Sequence, residues 1–319
     1  MKRTTMLIGI VALVASVFAA PAMAAFPDKP VTVICPWTAG GGTDVLLRAL
    51  SKEAEKFLGQ TITVSNQTGG AGAIGHNAIR AARPDGYTVG MITFELNSLP
   101  PQGLVPFTWR DFDPIMRINS DPAALTVRSD APYSTVRGFV DYAKAHPGEI
   151  TIGNSAPGSV WHIAAGLVAD KAGLQVKHVP FDGAQPAVTA LVGGHIKAVA
   201  VSVAEVRGQA QAGNLKILGV MSSERDKIFP DVPTFREQGV DVQFYTWRGL
   251  ALPKGVPPAI KAKIADAYQK AFDSKDFKEF AAKASLNLAY QNSADFAKFL
   301  DQNYKDVEAV MKNLGLTKK

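Results

Sequence analysis

Cysteine is almost absent: Cys35 stands alone among 319 residues, which excludes a disulfide framework and any cysteine-built zinc site. Lysine and arginine are scattered, so the basic footprint of a nucleic-acid binder is missing. After the first two dozen residues, no stretch is long and apolar enough to span a bilayer. The signatures G-x-x-x-x-G-K-[ST], H-E-x-x-H and G-x-S-x-G do not occur. Five dispersed histidines (His76, His146, His162, His178, His195) suggest neither a metal site nor a cofactor site. What remains is an ordinary globular mix, 47% apolar and 19% charged with net charge +6, and a length that suggests about two domains.

The amino terminus reads as a leader. Lys2 and Arg3 precede an uncharged apolar run over 6–20, then Pro21 and the A-x-A site Ala22-Met23-Ala24. This is the pattern of a secretory signal peptide over 1–24, cut after Ala24. Losing Lys2 and Arg3 with it lowers the formal charge of +6 by two.

Beyond the leader, strands and helices alternate. Strands are expected at 31–35, 61–65 and 87–92, with helices over 44–58, capped by Thr43, and from the glycine-rich turn at 66–72 to about 82. The pattern resumes with strands at 123–127, 151–154, 177–179, 198–203 and 216–220. The helices between them include one capped by Ser134 and one capped by Ser159. Such alternation implies parallel sheets with crossover helices, an α/β fold. The tail differs, with one helix opened by Pro257-Pro258 and a last one capped by Ser293, neither having a sheet of its own.

Gly70-Ala71-Gly72-Ala73-Ile74-Gly75 fits G-x-G-x-x-G, and Glu95 lies 20 residues on. Four residues separate the motif from its strand, however, whereas a dinucleotide fingerprint turns straight off the strand. A helix–strand packing turn is the expected reading.

Two loops carry more. Trp37-Thr38-Ala39-Gly40-Gly41-Gly42-Thr43 and Ser155-Ala156-Pro157-Gly158-Ser159 each join a strand to a helix. Each aims backbone N–H groups and a helix N-terminus beyond the carboxyl end of a sheet. Neither contains lysine or arginine, which suits a carboxylate better than a phosphate. One loop per domain predicts a ligand with two anionic ends in the cleft between them. Asp44 is expected to brace the first loop, since it would repel an anion it faced. The alternative is an exported hydrolase using Ser159 and His162 on one helical turn, with no orienting acid in view.

At these residues the chain resembles the extracytoplasmic solute receptors of tripartite tricarboxylate transporters, the Bug or TctC type. The matches run in order: Pro27-Asp28-Lys29-Pro30, Gly40-Gly41-Gly42-Thr43-Asp44, Asn66 with Gly70, Gly72 and Gly75, and Pro84-Asp85-Gly86-Tyr87-Thr88. Then come Ser155 with Gly158-Ser159 and His162, Val179-Pro180-Phe181, Gly193-Gly194, Pro230-Asp231-Val232-Pro233-Thr234, and Trp247 with Gly249-Leu250 and Pro253.

The resemblance implies a two-domain type II periplasmic-binding-protein fold, a Venus flytrap whose C-terminal helices return to the first domain. Domain 1 would span 25–123 plus 249–319 and domain 2 124–248. It implies a periplasmic, monomeric, non-enzymatic receptor that delivers a small carboxylate or dicarboxylate to membrane permease subunits, with no cofactor, metal or nucleic acid. The carried-over ligand residues are Trp37, Thr38, Ala39 and Thr43 in the first loop. In domain 2 they are Ser155, Ala156, Gly158, Ser159 and His162, with Phe181 flanking and Ser202 on a later strand. A receptor repurposed for a signalling partner would look the same. Val201 and Lys197 stand where relatives often carry acids, which argues against a ligand amine. Trp37, Trp161 and Phe181 suggest a flat slot for an aromatic acid.

Overall fold

A computed structural model describes residues 26–318; the expected leader and its cleavage site lie outside them. In the first half, β1 (Val31–Cys35) is buried along most of its length and ends in the fully buried Cys35. The amphipathic helix α1 (Gly42–Leu58) turns Leu46, Leu47, Leu50, Ala54 and Leu58 inward. β2 (Ile62–Asn66), α2 (Ala73–Ala81) and β3 (Thr88–Thr93) follow, and a short helix α3 (Glu95–Ser98) leaves the end of β3. β2 and β3 flank β1 in parallel, the arrangement crossover helices impose.

The chain then crosses over on β4 (Phe112–Arg128). The second half continues with α4 (Val136–Ala145), β5 (Thr151–Asn154), α5 (Val160–Ala172), β6 (Lys177–Pro180), α6 (Ala184–Val192), β7 (Ala198–Ser202), α7 (Val203–Gln211) and β8 (Leu215–Val220). The return consists of β9 (Tyr245–Pro253), α8 (Pro258–Asp273), α9 (Lys275–Lys283), β10 (Leu288–Asn292) and α10 (Ser293–Asn313).

β4 is the spine of the molecule. From Phe112 to Pro122 it pairs antiparallel with β9, and its stretch from Met116 to Asn119 also meets β10. From Ala123 onward it pairs with β7 and β8 instead. The strand order is therefore β2-β1-β3-β9-β4-β7-β5-β6, with β8 and β10 also on β4. β10, the long extent of β4 and all of β9 depart from the sequence expectation, and the tail does contribute a strand. Three caps also differ: Gly41 rather than Thr43 precedes α1, Thr135 rather than Ser134 caps α4, and Asn292 rather than Ser293 caps α10. Ser159 caps α5 as expected, its hydroxyl accepting from the His162 N–H.

The returning tail is fastened to the first half. The Ser51 and Tyr268 hydroxyls lie 3.3 Å apart between α1 and α8. Trp247 of β9 donates its Nε1–H to Asn303 Oδ1 of α10 at 2.8 Å, and Asn97 of α3 donates to the same oxygen at 2.9 Å. Gly249 lets α10 come this near: a Cβ there would overlap the Phe296 ring and lie 2.6 Å from the Met116 carbonyl oxygen. Since a backbone oxygen cannot swing aside, Gly249→Ala should cost about 1–3 kcal/mol by overpacking. A lowered urea midpoint with unchanged slope checks this; an unchanged midpoint would show that α10 yields freely.

The glycine motif is a packing turn. Gly72 takes φ 86°, which favours glycine, ahead of α2. A Cβ on Gly75 would sit 2.6 Å from both the Gln67 carbonyl oxygen and Pro36 Cα. The motif thus seats the segment that leads into Trp37.

Candidate functional site

A cleft opens where the two halves meet, beyond the carboxyl ends of β1, β3, β5 and β7. From the first half, Trp37, Thr38, Gly41, Gly42 and Thr43 line it, joined by Thr93 and Glu95 after β3. From the second half come Ser155, Val160, Trp161, Ala184 and Glu205, and β9 adds Thr246 and Arg248. The N-termini of α1, α5 and α6 therefore converge there, each bringing the positive end of its dipole. The free space between its walls measures about 20 Å³, room for a single water. The halves are closed on one another.

Of the residues expected at the site, Trp37, Thr38, Thr43 and Ser155 line the cavity. The others do not. Ala39 is exposed. Ala156, at φ 104°, holds the strained turn behind the loop. Gly158 accepts from Gln102 Nε2 at 3.4 Å, across the cleft mouth. Ser159 is fully buried, bonded to Ser155 Oγ at 2.9 Å. Phe181 packs against the second-half core, and Ser202 is fully buried at the start of α7. The His162 Nδ1 accepts from the Gly158 N–H at 2.8 Å, and its ring meets His178 edge-on. Burial, then the neighbouring His178, lowers its pKa to about 4. A neutral ring with Nδ1 already engaged by the backbone is no base for Ser159, so the nucleophile–base geometry of a hydrolase is not assembled. Thr43 is not a cap: its Oγ1 accepts from Arg248 Nε at 2.8 Å.

The buried charges are the main departure from expectation. Arg248, 2% exposed, pairs through Nη1 with Asp121 at 2.6 Å and approaches Glu205 through Nη2 at 3.5 Å. The absence of a basic residue from both loops did not mean its absence from the cleft. Glu95 lies in the wall, accepting from the Thr93 hydroxyl at 2.6 Å and, across the cleft, from the Val160 N–H at 3.1 Å. Thr93 in turn accepts from Trp37 Nε1 at 3.2 Å. Trp37, Thr93, Glu95 and Val160 thus form one chain of bonds joining the halves. Acids do reach the cleft, from α3 and α7 rather than from β7.

Burial raises the pKa of Glu205 to about 7; Arg248 opposes this, and Asp121 and Glu95 add to it. Burial also raises Glu95 and Asp121 above the ordinary carboxylate range, against the hydrogen bonds each accepts. Burial pushes Asp44 the same way, but bonds from Arg48, Gly40 and Asn66 win and lower it. Asp44 braces the first loop, as expected, accepting from the Gly40 N–H at 2.9 Å.

Arg248, Glu205 and Glu95 each interrupt an apolar stretch, in TWRGLAL, AVAVSVAEV and MITFEL. A lone charge in such a run must be paired when buried, and that was the available signal. Among the described residues no group of three or more His, Cys, Asp or Glu side chains is placed to hold a metal ion, and no helix is long and apolar enough to cross a membrane.

A family model described as tripartite tricarboxylate transporter family receptor matches residues 46–316. A UPF0065 protein of Cupriavidus necator, from the gbd 5' region, is 33% identical over 92% of this chain and 90% of its own. A solved TctC solute-binding protein from Polaromonas, without ligand, is 40% identical at TM-score 0.67, covering 90% of this chain and 99% of that one. MatC from Rhodopseudomonas palustris, with malate bound, is 28% identical at TM-score 0.82, covering 89% and 99%.

Proposed function

The chain belongs to the tripartite tricarboxylate transporter receptor family, whose members are solute-binding receptors and not enzymes, and on that premise we propose that it binds a small carboxylate in the interdomain cleft and delivers it to a membrane permease from the periplasm. One observation carries the reading. The N-terminus of α1 has no side-chain cap, and Arg248 stands beside it in the same cavity, its Nη2 under 3.2 Å from where a Gly42 Cβ would be. Uncapped N–H groups and a guanidinium together form a carboxylate cradle. The second anionic site expected at α5 is already filled, since Glu95 accepts from Val160. A dicarboxylate would have to displace it. Trp37 and Trp161 give the cavity two aromatic walls, which leaves a place for a ring.

Function follows from closure. The free space between the halves is small, so a ligand enters when they part about the β4 and β9 crossings and is held when they close around it.

Thermal unfolding of the ligand-stripped protein tests the reading, with malate, adipate, citrate, benzoate, glucose and phosphate as probes. A carboxylate at 100 times its Kd should add about 2.7 kcal/mol. Stabilisation by sugar or phosphate and by no acid would overturn it. Delivery predicts that deleting the chain abolishes cellular uptake of the bound acid; undiminished uptake would remove the permease from the account.

A further inference from the structure

We propose that Glu205 and Glu95 make this cleft selective for a ligand bearing a cationic amine besides its carboxylate, an inference that rests on the receptor reading above. Ionisable acids outnumber cations in the cleft. Arg248 is the one basic side chain in the cavity lining, and it is engaged, with Asp121 on Nη1 and Thr43 on Nε. Glu205 has a distant share of it, 3.5 Å from Nη2. Its other oxygen, Oε2, is buried with no hydrogen-bond partner, on a side chain 4% exposed. Glu95 is held by two neutral donors, the Thr93 hydroxyl and the Val160 N–H, and has no ion-pair contact, Arg248 acting on it only at a distance. Three buried acids thus face one arginine.

A plain dicarboxylate offers Glu205 and Glu95 no counter-charge. An amine-bearing acid would supply one and favour their ionised forms, its carboxylate at the α1 N-terminus and Arg248 and its ammonium between the two glutamates. The buried unpaired oxygen is what such an ammonium needs as acceptor. Trp37 and Trp161 line the same space, and indole faces favour a cation over an anion. Asp44 does not compete, because Arg48 already holds it.

Matched acids that differ in the charged nitrogen isolate the effect. Binding to the ligand-stripped protein is measured for succinate against L-aspartate, glutarate against L-glutamate, 4-methylvalerate against L-leucine, and 3-phenylpropionate against L-phenylalanine. In at least one pair the cationic member should bind tenfold tighter or more, and Glu205→Gln should erase most of that preference by weakening the cationic member, while the amine-free member, relieved of a neighbouring acid, binds more tightly. If the amine-free members bind equally well or better, the inference is overturned and the receptor reading stands. If no acid of either kind binds, the receptor reading falls and takes the inference with it. The wild-type comparison decides the matter even where Glu205→Gln folds poorly.

Discussion

Arg248→Met should destabilise the protein by about 3–5 kcal/mol at pH 8, because it removes the cation that compensates buried acids while leaving the acids in place. Asp121 is 1% exposed and loses its 2.6 Å partner, Glu205 loses its weaker one, and Thr43 loses a donor. The methionine fills similar volume, so the loss is electrostatic rather than a cavity effect. The loss should shrink at pH 5, where burial-raised carboxyls take up protons and no longer need a counter-charge. Arg248→Lys should fall between, keeping the charge but not the fork that reaches Asp121, Thr43 and Glu205 together. Urea unfolding at the two pH values measures all of this. A methionine variant within 1 kcal/mol of wild type at pH 8 would show that the acids are neutral or solvated in the folded protein. Carboxylate binding should be lost in the same variant even at pH 5.

Glu205→Gln should act in the opposite direction. The Glu205 pKa rises on folding from 4.5 to about 7, chiefly through burial. Below pH 4.5 the group is protonated folded or unfolded and costs nothing. As pH rises towards 7, the unfolded chain ionises while the folded one does not, so stability is lost across that window and stays low above it. At 1.36 kcal/mol per unit the penalty at pH 8 is about 3 kcal/mol. The glutamine variant is spared it. It should melt about 5 °C above wild type at pH 8, and the two should coincide near pH 4. A variant less stable than wild type at pH 8 would mean that the Arg248 pairing outweighs the cost of burial. Stabilisation on losing a cleft residue marks a position kept for binding rather than for folding.

The parallel parts of the fold were legible because their signals are local. β1 through β3 and β5 through β7 are short apolar runs separated by amphipathic helices and glycine turns, and each was read within a few residues. β9, and β4 before residue 123, were hidden for a physical reason. β4 carries Pro114, Pro122, Asp113, Arg117 and Asp121, and its pairing with β9 shifts register twice, so no clean alternation survives in the sequence. Caps slipped by a residue or two because Thr135 and Asn292 sit beside equally good cap formers. The loops of the cleft could be placed from glycine and from strand–helix order. Their inner surfaces could not: Ser159, His162, Phe181 and Ser202 support the wall from behind. Arg248, Glu95 and Glu205 arrive from three distant segments, and tertiary structure alone brings them together. Their trace in the sequence was each one's isolation among apolar neighbours.

Cys35, sealed at the end of β1 with a thiol that burial raises to about 11, is nearly inert to alkylating reagents: at pH 7 about one molecule in ten thousand carries the thiolate. The native chain is therefore silent towards maleimide dyes without first being made cysteine-free. Replacing exposed Ala39, on the loop that leads into the cleft, with cysteine would place one environment-sensitive fluorophore at the rim and none elsewhere. Opening and closing would then be read as emission in real time, and the receptor becomes a reagentless optical sensor for its own ligand.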